Sequence, residues 1–140
     1  MHNNYKLLIV DDDELTRTLV TRVAEALKFR FIREAADGVE ALEQISETRQ
    51  DIMVLDCSMP NMDGLQLLRT LKEQKLLKDM AVTLMTASNE RKTVEEAVAL
   101  GVLDYLVKPI GGGELKQRME LLIQRHNTRL MHRLMNDFES

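Results

Sequence analysis

The stretch QDIMVLDCSMPNMDG, Gln50 to Gly64, decides how the rest of the chain is read. Its apolar run Ile52-Met53-Val54-Leu55 does not alternate and stops on Asp56, the pattern of a strand buried on both faces in the centre of a parallel sheet. Asp56 therefore stands where such a strand leaves the core. In open α/β sheets, ligands bind in the crevice outside those carboxyl ends. Pro60, Asn61 and Gly64 punctuate the loop that follows. An aspartate at a strand end can also cap the next helix, but Asp63 suits that post better and leaves Asp56 for other work.

Outward from this strand, four further extended runs alternate with helical segments. Tyr5 to Val10 (YKLLIV) is a first buried strand and ends on Asp11, Asp12, Asp13 and Glu14. Adjacent acids repel one another, and the pKa of some rises unless a cation intervenes. Asp12 or Asp13 can cap the next helix, whose Leu15, Leu19, Val23 and Leu27 recur at helical spacing. Capping explains one aspartate, not three. Phe31 to Ala35 is a weaker, partly alternating strand that suits a position nearer the sheet edge.

Asp37 and Glu40 have capping-box spacing before a helix with Ala41, Leu42 and Ile45 inward, and Asp51 to Leu55 is the third strand. Asp63 and Gln66 repeat the capping logic before Leu67, Leu68 and Leu71. Ala81 to Met85 is a fourth strand that runs into Thr86; Ser88 or Asn89 can cap a helix from about Asn89 to Leu100, which Gly101 closes. Val102 to Val107 is the fifth strand, leading to Lys108-Pro109, and Gly111 to Gly113 form the loop before a last helix starting near Glu114. Five strand–helix units imply an α/β fold, a parallel five-stranded sheet with helices on both faces, joined by right-handed crossovers.

The 140 residues suit one domain, residues 5–123, with 124–140 as a helical extension or linker. A formal net charge of −4 with mixed signs argues against direct nucleic-acid binding. No segment has the apolar length to span a bilayer and MHNNYK is not a signal peptide, so a cytoplasmic domain is expected. Cys57 is the single cysteine and reads as a packing residue, since nothing near it marks an activating base.

Four strand ends thus bring Asp11 and Asp12, Asp56, Thr86 and Lys108 to one edge of the sheet. Clustered carboxylates suit a hard cation, with Mg²⁺ the natural candidate. His2, His126 and His132 lie toward the chain ends, which disfavours zinc. A cation held by Asp12 and Asp56 leaves one Asp56 oxygen to attack an electrophile, while Lys108 and Thr86 suit a phosphoryl group gaining negative charge.

These segments, LLIVDDD, EAADGVEAL, VLDCSMPNMDGLQLL, MTAS and DYLVKPI, in this order and spacing, resemble the receiver domain of two-component response regulators, from about Lys6 to Ile123. The resemblance implies a flavodoxin-like (βα)5 three-layer sandwich with strand order 2-1-3-4-5. It implies that Asp56 is the phospho-acceptor, and that Asp11, Asp12, Asp56 and the Ser58 backbone carbonyl bind Mg²⁺. Thr86 is implied as the hydroxyl that moves to the phosphoryl oxygen, Lys108 as its salt-bridge partner, and Tyr105 as the aromatic that turns inward on activation. Lys108-Pro109 resembles the family's cis peptide. The implied phosphodonor is a sensor histidine kinase or histidine phosphotransfer protein, and the chain itself is not an enzyme beyond taking up and losing its own phosphoryl group. Ile110 departs from the pattern, standing where an aromatic is frequent.

Two other readings stay open at this stage. One is a receiver-like interaction module that works without phosphorylation. The other is an aspartate-nucleophile phosphatase, since Asp11-Asp12-Asp13 also resembles the DxD motif of haloacid-dehalogenase-type enzymes, with Asp11 and Asp13 essential. Beyond Ile123, the residues Asn127, Leu130, Leu134 and Phe138 continue one side of the last helix. They read as a seam for a homodimer or another partner, as a linker, or as a frayed tail; the face of the fourth helix, fifth strand and fifth helix is a second candidate for a homodimer.

Overall fold

The computed structural model describes residues 3–87 and 91–139. His2 and the capping assignment to Ser88 or Asn89 lie outside the described residues. The order of elements is β1 (Asn3–Val10), α1 (Glu14–Ala26), β2 (Phe29–Ala35), α2 (Gly38–Glu47), β3 (Ile52–Asp56), α3 (Gly64–Glu73), β4 (Ala81–Thr86), α4 (Arg91–Ala99), β5 (Asp104–Val107) and α5 (Gly112–Glu139). All strand pairs are parallel, in the order β2-β1-β3-β4-β5.

The unbroken apolar runs are the reason for this arrangement. Every residue of β3 and β4 is buried, and their side chains alternate between two half-cores. Met53, Leu55, Val82 and Leu84 meet Ala41 and Ile45 of α2, Leu67, Leu68 and Leu71 of α3, and Ala97 of α4. Ile52, Val54, Ala81 and Met85 meet Val20, Val23 and Ala24 of α1 and Leu115, Met119 and Leu122 of α5. Each leucine so buried contributes about 1.5–3 kcal/mol. The result is the expected three-layer sandwich, helices on both faces of one sheet.

Some local expectations need correction. Of the expected stripe, Leu19, Val23 and Leu27 pack on the core but Leu15 is 80% exposed, and α1 adds Val20 and Ala24 to its buried face. Gly112 and Gly113 belong to the first turn of α5, because the Gly111 carbonyl already accepts from Leu115 N at 3.0 Å. Strand β5 starts at Asp104, two residues later than its apolar run, because the Val102 N–H is bonded to the Ala97 carbonyl in the turn closing α4. Gly101 makes that turn at φ +100°. The third strand begins at Ile52, with Asp51 just ahead of it, and includes Asp56 at its other end.

Aspartates cap α1, α2 and α3 at Asp13, Asp37 and Asp63. The box at Asp63 is complete, with Gln66 returning the bond to the Asp63 amide. At Asp37 the return bond goes one residue upstream, from Ala36 N to Glu40. Helix α5 runs 28 residues, roughly 42 Å. Its end is tied to the domain through Arg133 and Asp79 at 2.7 Å, while Met131, Leu134, Met135 and Phe138 remain exposed.

Candidate functional site

Strand register assembles the site. Val10 pairs with Leu55, Asp56 with Met85 and Thr86 with Val107, so the residues just beyond these strands emerge side by side. Two backbone bonds carry the pairing past the last residues: Cys57 N to the Met85 carbonyl at 2.8 Å and Lys108 N to the Thr86 carbonyl at 2.7 Å. Asp11, Asp56 and Thr86 are buried, whereas Asp12 is exposed. One oxygen each of Asp11, Asp12 and Asp56 lies within 4.8 Å of the others.

Lys108 reaches back across this edge. Its Nζ is 2.8 Å from Asp11 Oδ2 and 3.3 Å from Asp56 Oδ1. The Lys108-Pro109 peptide is cis, as expected from the sequence. Ile110 packs on the half-core beneath α1 and α5. Asp11 Oδ1 accepts from Asp13 N at 2.8 Å, so the Asp11 carboxylate is held at both oxygens.

Charges in this cluster are not balanced. Burial and then the charge of Asp11 push the Asp56 carboxyl up to about 6; the Lys108 ammonium and the Ser58 backbone N–H pull the other way. Burial alone would lower Lys108, but its hydrogen bond to Asp11 and the charges of Asp56 and Asp11 outweigh that and raise it. One lysine thus faces two buried carboxylates and an exposed third. An oxygen-only, net negative donor set of this kind fits a hard divalent cation. Asp11, Asp12 and Asp56 are the side chains that could hold it.

The other expected residues take the following places. Ser58 is exposed in the loop two residues past Asp56, and Tyr105 on β5 is 39% exposed. Asp13 is engaged as the α1 cap, accepting from Leu15 N and from Thr16 Oγ1 at 2.7 Å, and the Thr16 bond chiefly lowers its pKa. Cys57 is half-buried and its thiol is raised, first by burial and then by Asp63 and Asp56, which keeps it protonated.

Three residues have positioning roles that the sequence did not reveal. A Cβ on Gly64 would lie 2.5 Å from the Asp56 carbonyl, and one on Gly38 would lie 2.6 Å from the Met62 carbonyl. Both glycines let the loop after Asp56 lie flat on the strand end. Arg17 donates from Nη1 to the Asp11 carbonyl at 2.6 Å and pairs with Glu34 at 3.1 Å. Its signal was an arginine on α1 one turn past the cap, off the apolar stripe.

The fold and site together define a doubly wound parallel domain with a buried acidic pair and a lysine at its strand ends. Residues 7–120 match the response regulator receiver domain, and the chain belongs to that family. It is 34% identical over 125 residues to chemotaxis protein CheY-3 of Vibrio cholerae, covering 89% of this chain and 96% of that protein. It is 36% identical over 122 residues to chemotaxis protein CheY of Pseudomonas aeruginosa, covering 87% and 98%. Among solved structures, the CheX-CheY-BeF3-Mg+2 complex from Borrelia burgdorferi superposes with a TM-score of 0.78 at 30% identity, over 85% of this chain and 89% of that one. No described helix is long and apolar enough to cross a membrane.

Proposed function

We propose that the chain is a phospho-accepting receiver whose Asp56 carboxylate takes a phosphoryl group from a phosphohistidine on a sensor histidine kinase or phosphotransfer protein. As a receiver domain it is a signalling protein rather than a classical enzyme. The observation that carries the reading is the Asp11–Lys108–Asp56 bridge at the strand ends, 2.8 and 3.3 Å, beside the exposed Asp12. In the transfer, an Asp56 oxygen forms the new P–O bond as the donor's P–N bond breaks, and the leaving imidazole takes up a proton. Hydrolysis of the acyl phosphate by water resets the domain.

Asp56 must be ionised to attack, and a pKa of about 6 leaves it mostly so at neutral pH. Asp11, Asp12, Asp56 and the Ser58 carbonyl would hold Mg²⁺, which would offset the negative charge that collects on the carboxylates and the phosphoryl oxygens. Lys108 already spans Asp11 and Asp56 and pairs with the phosphoryl oxygen after transfer. Thr86, buried at the end of β4, donates its hydroxyl to another oxygen. Its inward movement makes room for Tyr105, now exposed on β5, and changes the α4–β5–α5 face presented to a partner.

The phosphatase reading loses its acid/base, because the Asp13 carboxylate is occupied in the α1 cap. The CheY of the Borrelia complex is described with BeF3 and Mg+2. The same pair is therefore the test here. Amide NMR with beryllofluoride and Mg²⁺ is expected to shift Asp56, Thr86 and Tyr105 together, and to do nothing in Asp56→Asn. Unchanged spectra in the wild-type chain would favour a phosphorylation-independent interaction module.

A further inference from the structure

The end of the molecule opposite the aspartate edge carries a second cleft, of about 430 Å³. Leu77, Met80 and Leu100 form its apolar floor, and lysines at 72, 75 and 78 line it beside Arg129 from α5. The anion in this cleft, Asp79, already pairs with Arg133 at 2.7 Å and faces Arg49 at 3.8 Å. Lys72, Lys75 and Lys78 have no ion pair among the described residues, in a chain whose net charge is −4.

Ordinary helix chemistry accounts for part of this. Lys72 in the last turn of α3 meets the negative end of the helix dipole. It extends to Lys75, one residue past the α3 C-cap, but not to Lys78. Lys75 occupies the left-handed position that ends α3, at φ +60°, with Leu76 N bonded back to the Leu71 carbonyl at 2.8 Å. Glycine suits that slot, and Lys75 takes it at a cost in backbone strain, as Lys28 does at φ +68° after α1. Lys78 lies in the loop beyond, clear of the helix.

We propose that this cleft docks an acidic segment of a partner protein, with one large apolar side chain on the Leu77–Met80–Leu100 floor and flanking carboxylates on the lysines. The volume is that of a small ligand pocket and suits a single side chain with its backbone. An apolar floor under a few clustered cations fits such a peptide better than a nucleic acid, which calls for an extended basic stripe.

The test is an NMR titration of the chain, in EDTA and without phosphodonor, so that the result is separate from Asp56 chemistry. The probe is a short Asp/Glu-rich peptide with one central phenylalanine. Shifts confined to Leu77, Met80, Leu100 and their neighbours are expected, with about tenfold weaker binding in Lys78→Glu and at raised salt. Lys75→Gly is expected to weaken binding while leaving the melting temperature unchanged or higher, which misfolding cannot mimic. Replacing the peptide's phenylalanine with alanine is expected to weaken it too. The proposal is overturned by shifts that are absent or spread elsewhere, by wild-type binding in Lys75→Gly, or by equal competition from an oligonucleotide.

Discussion

Gly64 sits so close to Asp56 that a single added carbon would be 2.5 Å from the Asp56 carbonyl oxygen and 3.0 Å from Cys57 Cα. Both opposing atoms are backbone, so neither can swing away. The first turn of α3 thereby presses on the strand end that presents the candidate phospho-acceptor, and Gly64 N bonds to the Cys57 carbonyl at 2.9 Å. Gly64→Ala is expected to displace this turn and cost about 1–3 kcal/mol, read as a lower urea midpoint, with slower phosphorylation of the folded fraction.

Asp56 is expected to lower stability at neutral pH. Its folded pKa of about 6 lies above the ordinary 3.8, so between those values the native state binds the proton more tightly than the unfolded chain. Stability from this group therefore rises as pH falls through that window, and the full penalty, on the order of 2–3 kcal/mol, applies above it. Asp56→Asn is expected to raise stability at pH 7 by on the order of 1–2 kcal/mol after the loss of Lys108 pairing, read as a higher melting temperature, and to flatten the pH dependence between about 4 and 6.

Adding Mg²⁺ is expected to stabilise the chain by relieving the same repulsion. Thermal unfolding should shift upward with Mg²⁺ concentration, reaching about 2.7 kcal/mol at a hundredfold excess over the dissociation constant. Asp12→Asn, which removes an exposed member of the cluster, is expected to abolish most of that shift with little effect on the metal-free protein. An equal shift in wild type and Asp12→Asn would place the cation elsewhere.

His126 gives a pH effect of opposite sign at the other end of the sheet. It is buried edge-on to Tyr5 at 4.8 Å, and neither ring nitrogen has a hydrogen-bond partner among the described residues. Burial lowers its pKa below 6.5; Asp51, 3.8 Å away, works against this, while Arg129, Arg49 and Arg133 reinforce it. The unfolded chain therefore takes the proton first, and stability falls as pH drops from 6.5 toward the depressed value. His126→Leu is expected to remove that fall in urea midpoints measured between about pH 7 and 5, where the Asp56 effect alone should remain.

The sequence made the candidate site readable because its chemistry follows from topology. Short apolar runs at Ile52–Leu55 and Leu7–Val10, bounded by turn signals and alternating with helical segments, read as central strands; parallel strands end at one edge, and so Asp11, Asp56, Thr86 and Lys108 converge. The Asp37 and Asp63 caps were readable for the same local reason, a carboxylate just ahead of an apolar periodicity, and the α1 cap was narrowed to Asp12 or Asp13, of which Asp13 serves. What depended on tertiary packing was hidden. Leu15 matched the helical spacing of Leu19, yet no partner lies beneath it, while small Ala24 faces the sheet. Gly64 looked like loop punctuation and Gly38 carried no reading of its own, and only the fold shows the backbone each would strike. The burial of His126 arises because α5 continues past the sheet and lays that turn on Tyr5.

The central claim is that Asp56 accepts a phosphoryl group, and intact mass tests it most directly. The chain is incubated with acetyl phosphate and Mg²⁺, beside Asp56→Asn and an EDTA control. A single labile phosphoryl adduct that needs Mg²⁺ and is missing from Asp56→Asn is the expected result. An adduct that persists in Asp56→Asn, or none in the wild-type chain with Mg²⁺ bound, would contradict it.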